Sequence, residues 1–311
     1  MMNKYNSGKK ILIIIPCVCL VLMMTGNRAI AQRQAFSYSQ YMDNLTPHNP
    51  AYSLIDKAGS ISTLASKQLV GIDGAPTTLL INANFPIEPV NGAVGLIVFN
   101  DKVAIENETE FNAYFAKAIQ VGTNDFLAVS LNAGLRNYVA NYSQLAVDDP
   151  TFKTDVRETK PNVGFGVMYY SDRFYLGLSV PELTITSLGT ASVQNNTNFR
   201  NNYYFAGALI TDLSEDIKFK PATLVSYTKG VPIVADISGI FYLKETLGLG
   251  ANYRTNKQMA GIITINVDAF HIGYSYQFGT SSANLGGFNN ATNEVTLSYR
   301  FGKASGNTKL L

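Results

Sequence analysis

The chain has 311 residues, with 24 Lys and Arg against 22 Asp and Glu, two cysteines and no tryptophan. A formal charge of +2 gives no electrostatic footprint for nucleic acid. Beyond the first 31 residues no apolar stretch reaches the ~18 that a spanning helix needs, which excludes helical membrane spans.

The first element is a leader over residues 1–31. Lys4, Lys9 and Lys10 form a basic start, residues 11–24 an apolar core, and Ala29-Ile30-Ala31 a small-x-small cleavage signature. We expect the mature chain to begin at Gln32. Loss of the leader removes four basic residues and leaves 20 basic against 22 acidic, so +2 becomes −2. Cys17 and Cys19 leave with it, which excludes thiol chemistry and a disulfide framework.

Residues 32–58 are rich in Gln, Asn, Ser and Pro and lack periodicity, so they read as a periplasmic arm or an insert into a barrel. From 59 onward, apolar residues recur at period two between turn signals. Strands are predicted at 59–69, 77–85, 92–100, 108–120, 125–138, 162–170, 173–181, 202–212, 217–228, 232–243, 246–254, 258–266, 269–278 and 294–302. The last is typical: Val295, Leu297, Tyr299 and Phe301 alternate with Thr296, Ser298 and Arg300. The strands at 92–100 and 108–120 do not declare which face looks outward. Connections between even and odd strands are short, and the long ones, 139–161, 182–201 and 279–293, all join odd strands to even ones. Outer-membrane barrels carry short periplasmic turns and longer outer loops. The expected fold is therefore all-β, a transmembrane antiparallel outer-membrane β-barrel of about fourteen strands over residues 59–302 with a tail at 303–311.

Strand parity points Arg136, Asp236, Arg254, Glu294 and Arg300 into the lumen, with His271 beside them. Interior ion pairs that rigidify a narrow barrel are the simpler reading, and a docking surface for a peptide is the sharper one. Gly164, Gly166, Gly177, Gly248, Gly250 and Gly273 also point inward. They relieve crowding as the sheet closes, or clear room for a bound segment. Outward Phe165, Tyr169, Phe174, Tyr253, Phe270 and Tyr299 read as girdle aromatics. The chain offers two histidines, no pair at metal spacing and no nucleophile motif, so neither an enzyme nor a cofactor is expected. A Ser–His pair through Ser275 or Ser298 with His271 is the one catalytic alternative. Partner-binding residues are sought on the outer loops: Asp73, Gly74 and Pro76 in one, Asp148, Asp149 and Phe152 in the longest, and Phe288 in the last.

Ordered stretches of the chain resemble the PorP/SprF family of type IX secretion system membrane proteins. Gln40-Tyr41-Met42 with Asn44, then Asn49-Pro50-Ala51-Tyr52, are similar to the family's opening. Residues 67–78, 148–152, 161–170, 250–254, 272–276 and 294–301 continue the likeness. The chain departs from the family pattern at Leu69, where a tryptophan is expected, and at Asn202 and Asn293, where histidines are. The resemblance implies an outer-membrane barrel that helps export a large surface protein, such as a gliding adhesin, and anchors it by its C-terminal sorting domain. Implied partners are that cargo, other type IX components, a periplasmic peptidoglycan-binding lipoprotein and outer-membrane lipid. A porin or solute channel is the rival.

Overall fold

A computed structural model describes residues 36–144, 154–185, 199–278, 291–302 and 310–311. The predicted leader and Gln32, together with Asp148, Asp149, Phe152 and Phe288, lie outside the described residues.

Fourteen strands follow one another in chain order. They are β1 (Gly59–Gln68), β2 (Thr77–Ile87), β3 (Gly92–Val103), β4 (Glu106–Gln120), β5 (Phe126–Ala140), β6 (Val156–Tyr170) and β7 (Phe174–Thr184). Then come β8 (Asn202–Leu209, resumed at Thr211–Asp212), β9 (Ile217–Thr228), β10 (Val234–Leu243) and β11 (Leu247–Arg254). β12 (Gln258–Val267), β13 (Phe270–Phe278) and β14 (Thr292–Phe301) complete the set. Each pairs antiparallel with the next, and β14 pairs back onto β1 from Gly59 opposite Phe301 to Gln68 opposite Thr292. Closure leaves no sheet edge, the condition for a sheet to stand in hydrocarbon.

The outer face is apolar because it has lipid to meet. In β5, Leu127, Val129, Leu131 and Leu135 are exposed while Ala128, Ser130, Asn132 and Arg136 are buried. β14 repeats the pattern, with Val295, Leu297 and Tyr299 outside and Glu294, Thr296 and Ser298 inside. Phe165, Tyr169, Tyr253, Phe270 and Tyr299 are exposed on the outer face, and Phe174 is half-buried against Tyr169. β3 and β4 resolve the same way: Val94, Leu96, Phe111, Phe115 and Ile119 face out. Their inner faces are also partly apolar (Ile97, Phe99, Tyr114), which is why parity alone left them undecided. Leu131, 63% exposed near the middle of β5, gives a direct test. Leu131→Arg should cost about 2–4 kcal/mol of unfolding free energy in a bilayer, against under ~1 for the same change near an interface.

The connections fall on two rims. One carries the short turns between even and odd strands, such as residues 171–173 and 268–269. The other carries residues 141–155, 185–201 and 279–291.

Candidate functional site

Residues 36–57 pass through the lumen and bond to strands on every side of it. Tyr38, Tyr41, Met42, Leu45, Ala51 and Leu54 are buried. They form one apolar cluster with inward Leu64, Leu80, Ile97, Phe99 and Tyr114 of the wall, and hydrogen bonds, of which an unmade one costs more than a made one gains, fix the segment among the polar side chains.

Near the long-loop rim, Arg254 Nε lies 2.8 Å from Asp236 Oδ1, and its Nη2 donates to Ser37 Oγ at 2.8 Å. Ser37 Oγ in turn donates to Asp236 Oδ2 at 3.1 Å. Glu294 accepts the backbone N–H of Ser39 at 2.9 Å and the Ser275 hydroxyl at 2.7 Å. Ser238 donates to the Tyr41 hydroxyl at 3.1 Å, and Asn44 Nδ2 to Asn82 Oδ1 at 2.6 Å.

Midway, Asn49 is the pivot. Its Nδ2 donates to the carbonyls of Val167 (3.1 Å) and Leu178 (3.3 Å). Its Oδ1 accepts from Ala51 N at 3.2 Å and caps the 3-10 turn Pro50–Leu54, with Pro50 in the first-turn place that proline favours. The wall opposite is glycine for a steric reason: a Cβ at Gly166 would collide with Asn49 Oδ1, and one at Gly177 would lie 2.8 Å from its Nδ2. Gly273 makes the same allowance for Gln40. The other three inward glycines crowd their own sheet: a Cβ at Gly164 would collide with Pro181 O and one at Gly248 with Thr264 Oγ1, while one at Gly250 would lie 2.6 Å from Gly239 O.

At the short-turn rim, Lys220 Nζ donates to Met42 O at 2.6 Å and sits 3.7 Å from Asp43 Oδ1. The Tyr242 hydroxyl donates to the same carboxylate at 3.1 Å, and His271 Nε2 is 3.6 Å from its Oδ2. Arg300 Nε pairs with Asp56 at 3.4 Å. The carbonyl of Leu311 accepts from Tyr52 at 2.6 Å and from Lys220 at 3.0 Å, so the last two residues lie buried against the segment.

The six interior residues read from parity thus all face the lumen. Five engage the internal segment or its immediate partners. Arg136 instead joins Glu108, Glu110 and Glu182 at 2.8, 2.7 and 3.6 Å. His271 Nδ1 pairs with Asn266 at 2.7 Å, its Nε2 takes no hydrogen bond, and Ser275 donates to Glu294, so among the described residues neither Ser275 nor Ser298, which lies opposite His271 in the register, is bonded to it. Among the described residues no three His, Cys, Asp or Glu side chains converge as a metal site. Asp73 and Gly74 are exposed on the β1–β2 connection and Pro76 is half-buried. Gly74, at φ +75°, accepts from Ala104 N at 2.9 Å, which ties this loop to the β3–β4 turn. Lys220 and Asp43 escaped the sequence reading. Lys220 shares the inward parity of Ala222, Leu224 and Ser226, a signal that was present.

His48 stacks on Tyr38 at 5.1 Å and packs on Tyr204 at 4.6 Å.

The model of the family described as Type IX secretion system membrane protein PorP/SprF matches residues 30–299. No curated protein matches the chain. Among solved structures, the barrel is similar to a TodX deltaS2S3 mutant monoaromatic hydrocarbon channel, at 8% identity and TM-score 0.50, over 83% of this chain and 94% of that one. The Acinetobacter baumannii outer membrane protein Omp33 is similar at 8% identity and TM-score 0.45, over 79% and 99% of the two chains. Haemophilus ducreyi BamA lacking POTRA domains 1–3 gives 8% and 0.42, over 78% and 70%. At 8% identity the likeness to the TodX barrel shows the outer-membrane barrel fold alone.

Proposed function

This chain belongs to the PorP/SprF family of type IX secretion system membrane proteins, and from that premise we propose that it anchors a large exported surface protein. It would engage the cargo's C-terminal sorting domain through the outer loops while other type IX components, with a periplasmic peptidoglycan-binding lipoprotein as a candidate, act from below. In this orientation the short-turn rim faces the periplasm and the long-loop rim faces outward. The observation that carries the reading is the filled lumen. A solute channel needs a path, whereas here residues 36–57 are bonded to nine of the fourteen strands, β2, β6, β7, β8, β9, β10, β11, β13 and β14. A plugged barrel is a rigid post on which loops can bind, with no catalytic chemistry required.

The purified protein should show no steady conductance in planar bilayers, only rare openings, and, after crosslinking in cells, should recover one large surface protein together with secretion components. Large steady conductance without any recovered partner would favour the porin reading instead. Removal of the loop carrying Asp148, Asp149 and Phe152, or of the one carrying Phe288, should lower cargo recovery at least ~10-fold if two or three anchor residues are lost. The barrel itself should stay intact.

A further inference from the structure

One side of the wall is taller than the rest. β4, β5 and β6 have 15 residues each, more than any other strand. A tilted strand crosses hydrocarbon in ~9–11 residues, so about four to six residues of this side stand beyond it. The outward side chains place that excess at the long-loop rim. Val98, Phe111, Leu135 and Pro161 form the last apolar row of the outer face there. The next outward row is Asn100, Thr109, Asn137 and Thr159, and the one beyond it is Lys102, Asn107, Val139 and Arg157. The polar row is bounded on β2 by Leu79, opposite Asn100. The cationic row continues through Thr77 to Lys67 on β1.

These two rows hold three cations and no carboxylate. Lys67, Lys102 and Arg157 are all exposed. The carboxylates of the same strands are turned elsewhere: Asp101 accepts from Thr78 Oγ1 at 2.7 Å, and Glu106 and Glu158 have inward parity. Asp73 and Asp155 stand in the loops beyond the rows; Asp155 accepts from Ser143 N at 3.0 Å and offsets part of the Arg157 charge. The polar row is a hydrogen-bonding surface as well. Asn100 Nδ2 donates to Asn107 Oδ1 at 2.9 Å and to Thr109 Oγ1 at 2.8 Å, and Asn137 Nδ2 donates to Thr159 Oγ1 at 2.8 Å. Those bonds leave the Asn107 amide and both threonine hydroxyls to donate outward.

The depth of the cations selects the partner. Lys102 and Arg157 lie four residues past the last apolar row, ~13 Å along the strand. At a strand tilt of ~35–45° that is about 10 Å of height. The polar zone of a phospholipid leaflet is only ~5–7 Å deep, so these cations reach past it. A headgroup that meets both rows is thicker, rich in hydroxyls and anionic. We propose that the outer face of β3–β6 at the long-loop rim binds the phosphorylated sugar headgroup of an outer-leaflet glycolipid. Its hydroxyls meet the Asn–Thr row, and its phosphates meet Lys102 and Arg157, with Lys67 at the flank. Three strand spacings, ~14 Å, separate Lys102 from Arg157, so the two serve different phosphates. The site is on the lipid side of the wall, apart from the lumen. It shares with the functional reading only the outward direction of the long-loop rim.

The barrel in detergent would be titrated with lipid A, with dephosphorylated lipid A and with phosphatidylglycerol, bound lipid being counted by native mass spectrometry. Lys102→Gln with Arg157→Gln should weaken lipid A binding at least ~10-fold, and dephosphorylation should weaken it no further in that variant. Lys102→Arg with Arg157→Lys should stay within about threefold of the native protein. Lys117→Gln, exposed on the same face toward the opposite rim, should change nothing. Asn137→Leu with Thr159→Val should cut the preference for lipid A over phosphatidylglycerol. The proposal is overturned if the double glutamine variant binds lipid A like the native barrel, or if phosphatidylglycerol displaces lipid A at equal concentration. A native barrel that takes up no lipid A, while the same variant loses a cross-linked protein, would make this a protein-docking face and overturn it too.

Discussion

Leucine at position 166 should unseat the internal segment and open the barrel. The Asn49 amide sits where the new side chain must go, with the Ser130 hydroxyl 2.6 Å from the position its Cβ would take. Displacing Asn49 breaks two hydrogen bonds to wall carbonyls, each worth about 1 kcal/mol net. It also removes the cap of the turn Pro50–Leu54, worth about 0.5–2 kcal/mol. Together these come to about 3 kcal/mol, or roughly a 100-fold rise in the released population. In planar bilayers, Gly166→Leu should therefore show openings about 100 times as frequent as those of the native protein. Gly166→Ala should give a weaker version of the same record. The decisive measurement is non-additivity: Gly166→Leu combined with Asn49→Gly should open no more often than Asn49→Gly alone, because the collision has lost one partner. Additive effects would mean that Asn49 and the glycine wall are not one socket.

That socket marks the limit of what the sequence made legible. Every strand is visible because lipid enforces one rule on every second residue, as Leu127, Val129, Leu131 and Leu135 display in β5. Where lipid ends, so does the signal. β6 begins at Val156 rather than at 162, and β4 at Glu106 rather than 108, because the added residues include outward Arg157 and Thr159, which have no hydrocarbon to match. β3 and β4 were ambiguous because the internal segment is partly aromatic. Phe36 packs on inward Phe99 at 4.7 Å, which puts an apolar residue on the face expected to be polar. The segment itself left no periodic trace, since a polar lumen selects side chains one at a time. Gln40, Tyr41, Asn44, Asn49 and Pro50 stood out through family resemblance, and their partners Asp236, Glu294 and His271 through strand parity. Their pairing needed three dimensions, as did the match between inward glycines and the amides they admit.

Arg136→Ala should produce the largest loss of stability of any single change in the wall. Its Nε and Nη2 bridge two different carboxylates at 2.7 and 2.8 Å, and a third, Glu182, stands 3.6 Å away. Alanine leaves those carboxylates in a buried cluster with their shared cation gone. Breaking a buried pair by removing one partner costs about 3–5 kcal/mol, a large part of the ~5–15 kcal/mol that a folded domain holds in reserve. The Glu182 side chain is 20% exposed, so water offsets part of its share and places the expected value toward the lower end. Arg136→Lys should recover only part of the loss, because an ammonium cannot present the planar fork that reaches two carboxylates at once. Arg136→Met combined with Glu108→Gln, Glu110→Gln and Glu182→Gln should fall close to the native urea midpoint, since the charge and its penalty leave together. If Arg136→Ala unfolds within ~1 kcal/mol of the native protein, this part of the lumen is wet enough to screen its charges. The arginine would then hold no strands together.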